Sequence, residues 1–164
     1  MKSFNYEEVK AQIEKLEPPT LKLSILLYRP KNEMNIGHIF RLADAGAIHK
    51  VWIYQPYAQI KWHKIEKLSR KNSRHVDYEI IQDYGQIPDC HTIALEWTDT
   101  SKDIYSLDEL QKETILIAGN EQKGIPEDLL ALCDESIHLP MYGKHSSMNM
   151  AMATAIAVYT LMHK

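Results

Sequence analysis

Cysteine is nearly missing from this chain: Cys90 and Cys133 are the two among 164 residues, 43 positions apart, without a CxxC spacing or a paired histidine. That excludes a disulfide scaffold and a cysteine–histidine zinc module, and leaves two free thiols suited to a reducing compartment. Long apolar runs are missing as well. Met150 to Met162 is the longest, short of the ~18–20 residues a membrane span requires, and the first ten residues (MKSFNYEEVK) lack the apolar core of a secretion signal. A soluble, cytoplasmic protein is expected, with neither membrane nor metal among its partners. An excess of positive charge is also lacking. The chain carries 19 Lys and Arg against 22 Asp and Glu, net −3, so it is not a uniformly basic nucleic-acid binder. Neither the G-x-G-x-x-G fingerprint nor a Walker P-loop occurs, which disfavours the common nucleotide-binding α/β enzymes.

What is present is ordinary globular composition, 45% hydrophobic and 25% charged, at a length that suits one domain. Residues 5–16 read as an amphipathic helix with Val9, Ile13 and Leu16 on one face; Asn5 and Glu8 have capping-box spacing, and Pro18-Pro19 stops it. Residues 1–20 are therefore expected to be a helical extension to a domain spanning 21–164. Within that domain, strand candidates at 21–28, 51–54, 76–81, 91–96, 114–119 and 136–141 alternate with helix candidates at 36–47, 62–70, 126–133 and 148–162. Strands separated by helices predict an α/β domain with a mainly parallel sheet. The last helix is apolar around nearly its whole circumference, which favours burial against a second subunit as well as its own domain.

Three segments carry candidate chemistry. N-I-G-x-x-x-R places Asn35, Gly37 and Arg41 at the start of a helix that follows a strand. Gly37 allows close approach of a ligand or another chain segment, and the planar Arg41 guanidinium suits a phosphate. G-N-E-x-x-G (Gly119, Asn120, Glu121, Gly124) follows the clearest strand, where open α/β sheets collect their ligands. L-P-M followed by S-x-N (Leu139, Ser147, Met148, Asn149) leads into the last helix, whose free backbone N–H groups favour electron-rich partners. Alone, each also reads as ordinary structure: a surface arginine, a strand-to-helix turn, an N-cap.

Together, in this order and spacing, they resemble the SpoU/TrmH branch of the SPOUT methyltransferases over residues 21–164. The resemblance implies a C-terminal trefoil knot, which composition and periodicity do not suggest. It implies S-adenosylmethionine as cofactor, held by Ala94, Leu95, Glu96, Gly119, Asn120, Gly124, Ile137, Leu139 and Met148. It implies a homodimer with a site completed across the interface. Finally, it implies methyl transfer to a ribose 2′-hydroxyl of tRNA or rRNA, with Arg41 beside the ribose and Asn35, Glu121, Ser147 and Asn149 around it. Relatives often assign Arg41 the role of general base. Because arginine stays protonated, binding phosphate and stabilising a developing alkoxide is the milder reading. His38 and His145 are weaker candidates for that base. Met148, Met150 and Ala151 depart mildly from the family pattern, as does His38.

RNA must also be held. Residues 61–75 carry Lys61, Lys64, Lys67, Arg70, Lys71 and Arg74 against Glu66, a local +5 in an acidic chain. Helical spacing would align most of these cations into one stripe for phosphates; a solvated helix face is the plain alternative. A second function class is a SPOUT-fold RNA-binding protein without catalysis, disfavoured because Arg41, Glu121, Ser147 and Asn149 are all present.

Overall fold

The computed structural model describes residues 3–56, 60–70, 72–108 and 110–164. In chain order its elements are α1 (Tyr6–Ile13), β1 (Lys22–Tyr28), α2 (Glu33–Ala45), β2 (Val51–Tyr54), α3 (Trp62–Leu68), β3 (Tyr78–Ile81), β4 (His91–Leu95), β5 (Lys102–Asp103), β6 (Glu113–Ala118), α4 (Glu127–Leu130), β7 (Glu135–His138) and α5 (Met150–Leu161). The seven strands form one parallel sheet in the order β3-β2-β1-β6-β4-β7-β5. All strand C-termini therefore open on the same edge. The chain works outward from β1 to β3, then returns to the other side, and the late strands β6 and β7 lie between earlier ones.

β1 and β6 are buried and mostly apolar after their first residues, Lys22 and Glu113, because they are covered on both faces, the usual condition of central parallel strands. On one face, Leu23, Ile25 and Leu27 pack with Phe40 of α2 and Val158 of α5. On the other, Leu26, Ile115 and Ile117 meet Ile125 and Leu129 beside α4. Burying a side chain such as the fully enclosed Phe40 contributes about 2–3 kcal/mol.

Helix starts follow their caps. Asn32 accepts the Met34 N–H (2.9 Å), so α2 begins three residues earlier than its apolar pattern suggests and Asn35 lies inside it. Gly37 serves helix packing: a Cβ there would stand 2.6 Å from the Leu68 Cβ, so α2 and α3 cross only because it has none. α1 has its capping box, yet Val9, Ile13 and Leu16 are all exposed and no residue of the helix is buried.

The helix expected over 62–70 ends at Leu68. Arg70 takes a left-handed φ of 52°, and a 3₁₀ turn at Asn72–Arg74 follows. The cations therefore do not form one helical stripe. Lys61, Lys64 and Lys67 are exposed on or beside α3, Arg70 and Arg74 follow the break, and Lys71 lies outside the described residues. β5 had no clear signal, being two residues long. Among the described residues no helix is long and apolar enough to cross a membrane, and no group of three or more His, Cys, Asp or Glu could hold a metal ion.

Candidate active site

A cleft of about 320 Å³ opens where the C-terminal ends of β4, β6 and β7 meet the start of α5. One loop organises it. Asn120 and Gly124 exchange backbone hydrogen bonds (3.0 and 2.9 Å), and the Asn120 side-chain oxygen accepts the N–H groups of Gln122 and Lys123. The Asn120 amide donates to the Arg29 carbonyl at 2.6 Å, tying the loop to the end of β1. Gly119 must lack a side chain, since a Cβ would stand 2.6 Å from the Gly124 carbonyl carbon. Gly124 has φ +65° and a Cβ there would fall 2.3 Å from Glu96 Oε2. The Glu96 carboxylate occupies that space and accepts the N–H groups of Trp97 (3.1 Å) and Ile125 (3.0 Å), clamping the loop after β4 to the loop after β6.

Glu121 links this loop to α2. Its Oε2 accepts the Lys31 N–H (3.0 Å), and its Oε1 accepts the Asn32 N–H (3.2 Å) and the Asn35 side-chain amide (2.8 Å). Burial pushes the Glu121 carboxyl up, but these hydrogen bonds outweigh it and hold its pKa below the ordinary value. Asn35, itself buried, accepts from the Asn149 amide at 3.1 Å. Asn149 also caps α5 by accepting the N–H groups of Ala151 and Met152. A continuous relay, Asn149 to Asn35 to Glu121, thus joins the three segments that sequence alone left separate.

Of the expected cofactor residues, Leu95, Glu96, Gly119, Asn120, Gly124, Leu139 and Met148 line the cleft, together with Glu121, Ser147 and Asn149. Ala94 and Ile137 are fully buried in the strands behind it. Trp97 and His138, which sequence reasoning passed over, form a stacked pair in its wall with ring centres 3.6 Å apart. The Ser101 hydroxyl fixes His138 through Nδ1 (2.9 Å). Trp97 adjoins Leu95-Glu96, so a lone aromatic next to a loop acid was the available signal. Arg41 is not brought in: it and His38 are exposed on α2 and do not line the cleft, nor does His145, exposed in the loop before α5.

The charge of the lining is one-sided. Two carboxylates, Glu96 and Glu121, face the cleft, and no lysine or arginine is among its described lining residues. Leu95, Leu139, Met148 and Ala153 supply apolar surface. Such a lining disfavours a phosphate-bearing ligand and suits a small amphipathic cation, which is what a sulfonium carrying an adenosyl group is.

A family model described as the SpoU rRNA Methylase family matches residues 22–159. The tRNA (guanosine(18)-2′-O)-methyltransferase of Aquifex aeolicus is 27% identical over 159 residues, covering 93% of this chain and 74% of that protein. A 23S rRNA (uridine(2479)-2′-O)-methyltransferase of Streptomyces viridochromogenes is 29% identical over 146 residues, covering 84% of this chain and 51% of that protein. Among solved structures, an rRNA methyltransferase from Sinorhizobium meliloti with bound AdoMet superposes with a TM-score of 0.79 at 20% identity, covering 92% of this chain and 59% of that one. The chain thus spans about three-fifths of the length of that solved relative.

Proposed function

Because the chain belongs to the SpoU rRNA Methylase family, we propose that it transfers a methyl group from S-adenosylmethionine to a ribose 2′-hydroxyl of tRNA or rRNA. The observation that carries this is the acid-lined cleft, whose described lining residues include no lysine or arginine, with the relay from Asn149 through Asn35 to Glu121 at its edge. When bound, the cofactor supplies an electrophilic methyl on a positively charged sulfur. The chain's own residues do the rest. Leu95, Leu139 and Met148 offer apolar surface, Glu96 and Gly124 hold the loops in one arrangement, and the relay keeps Ser147 and Asn149 at the mouth of α5.

Arg41 enters from a second copy. Met34, His38 and Arg41 recur at helical spacing along one exposed face of α2, and Met152, Ile156 and Tyr159 leave an exposed apolar face on α5, which packs against α2. A homodimer built on these faces covers that apolar surface and carries Arg41 toward the partner's cleft. There the guanidinium holds the substrate phosphate and stabilises negative charge on the 2′-oxygen as the hydroxyl proton passes to solvent. Lys61, Lys64, Lys67, Arg70 and Arg74 contribute salt-dependent RNA binding around the site.

A trefoil knot belongs to the same reading. β6 and β7 insert beside earlier strands, and the Lys164 ammonium donates to the Tyr105 and Leu107 carbonyls of the segment between β5 and β6, as a threaded C-terminal part would. Within residues 1–20, α1 is a helix appended to the methyltransferase domain, and the enzyme works in the cytoplasm, where tRNA and ribosomes are. The test is direct: purified protein is incubated with methyl-labelled S-adenosylmethionine and bulk RNA, and the RNA is hydrolysed in alkali. Label in alkali-resistant dinucleotides is expected, because a methylated 2′-oxygen cannot attack its phosphate. Cofactor binding without transfer would favour an RNA-binding protein that has lost catalysis, and no cofactor binding would sink the methyltransferase reading.

A further inference from the structure

The loop Asn120–Gly124 has a second side. Behind it lies another cavity, of about 460 Å³, at the C-terminal ends of β1 and β2, with Asn120 and Gly124 in its wall as well. Its chemistry is opposite to that of the cofactor cleft. Arg29, Lys31 and Lys123 line it against one carboxylate, Glu33, and that acid already faces Lys64 at 3.9 Å. Tyr28, Ile36 and Ile60 add an aromatic and two aliphatic surfaces.

Two details mark the cavity as built. Arg29 has a left-handed φ of 44°, a strained conformation for a residue with a side chain, fixed because its N–H donates to the Tyr54 carbonyl (2.9 Å) and its carbonyl accepts the Asn120 amide. Lys31 is held by its ammonium bond to Gln122 on the cofactor loop, while the ammonium of Lys123 has no partner among the described residues.

We propose that this cavity is a subsite for a phosphate-bearing, unpaired nucleotide of the substrate RNA, adjacent to the one that is methylated. Cations at the rim neutralise its phosphate, and Tyr28 with the aliphatic wall takes the base. RNA is read chiefly through such splayed nucleotides, with bases on aromatic side chains and cations on the backbone. The shared loop gives the two sites a common wall: cofactor on the acidic side, RNA on the basic side, with Lys31 and Glu121 both anchored where β1 leads into α2. The proposal rests on RNA being the substrate.

The test uses the full chain and its Lys31→Ala/Lys123→Ala variant, measuring RNA affinity over a salt series and S-adenosylmethionine affinity in parallel. Two lost single-strand phosphate contacts should make the log–log salt dependence shallower by about 1.4, with any loss of cofactor affinity smaller than the loss of RNA affinity. An unchanged slope in a chain that still methylates RNA would overturn the subsite. Protection of Lys31 and Lys123 from an amine-acylating reagent separates this from failure of the functional reading. If the wild-type chain binds no RNA, that reading fails, and the cavity is judged on adenosine 5′-monophosphate: protection of Lys123 keeps a nucleotide site, and no protection removes it.

Discussion

The two cavities on either side of the Asn120–Gly124 loop share a wall and differ in almost everything else. Among the described residues, one is lined by Glu96 and Glu121 without lysine or arginine, the other by Arg29, Lys31 and Lys123 with a single acid. Five residues of backbone separate an environment for a cationic cofactor from one for a phosphate. The lesson is that net charge, −3 here, says little about which ligands a protein takes; the sign that matters is set cavity by cavity. The loop can divide them because it is rigid, fastened to β1 by Asn120, to α2 by Glu121 and to the loop after β4 by the clamp on Glu96.

Arg41 lines neither cavity, so its replacement is the strongest way to sharpen the comparison. Arg41→Ala should lower kcat about 10²–10³-fold, the usual cost of removing one preorganised electrostatic contact, and leave S-adenosylmethionine affinity unchanged in an equilibrium titration. Mixing that variant with a Gly124→Ala chain, whose own cofactor binding is weakened, should restore part of the activity, because in the proposed homodimer the mixed species pairs an intact cleft with a wild-type Arg41. Failure of the mixture to recover, with subunit exchange demonstrated, would place Arg41 in its own subunit's reaction.

Gly124→Ala alone attacks the shared wall. Its φ of +65° and the Glu96 oxygen 2.3 Å from the added carbon force the loop to move, at a cost of about 1–3 kcal/mol. S-adenosylmethionine affinity should fall by roughly 10- to 100-fold by calorimetry, and the salt slope of RNA binding should change with it if the wall truly serves both sides. Asn149→Ala comes next, with about 1 kcal/mol lost from the α5 cap, read as a lower midpoint in thermal unfolding. Part of that loss reflects Asn35, which keeps Glu121 but loses its other partner.

Much of this was legible in the sequence. The six longer strands and the helices α2 and α5 showed in apolar patterning, since a central parallel strand must be apolar whatever else it does. The three motifs were visible, but not the relay connecting them, because Asn35 and Asn149 are 114 positions apart and only the fold brings their amides together. Gly37 was read correctly as permitting close approach, yet the choice between a ligand and the α3 helix needed coordinates. The basic stripe was drawn too long: periodicity carried it past Leu68, and local backbone at Arg70 ended it. The second cavity left no trace because its cations come from positions 29, 31 and 123, with no common spacing.

Acid should separate the two cavities more gently than any of these substitutions. Glu121 has a folded pKa below its ordinary value of about 4.3, so the stability it lends is present above that value and is lost as pH falls through the lower, folded one. As the carboxylate takes up a proton, its acceptance of the Lys31, Asn32 and Asn35 donors weakens and the loop loosens on the cofactor side. The groups lining the other side are not the ones that take up this proton, so the anion-binding side keeps its complement until the loop itself moves. Below the ordinary carboxylate range, S-adenosylmethionine affinity should therefore decline before protection of Lys123 by adenosine 5′-monophosphate does. Glu121→Gln should flatten the cofactor's pH dependence, because an amide has no proton to gain there, while weakening binding at neutral pH, because its nitrogen cannot accept. Equal acid sensitivity of both ligands would mean that the cavities open together, and that the shared loop couples them more tightly than it divides them.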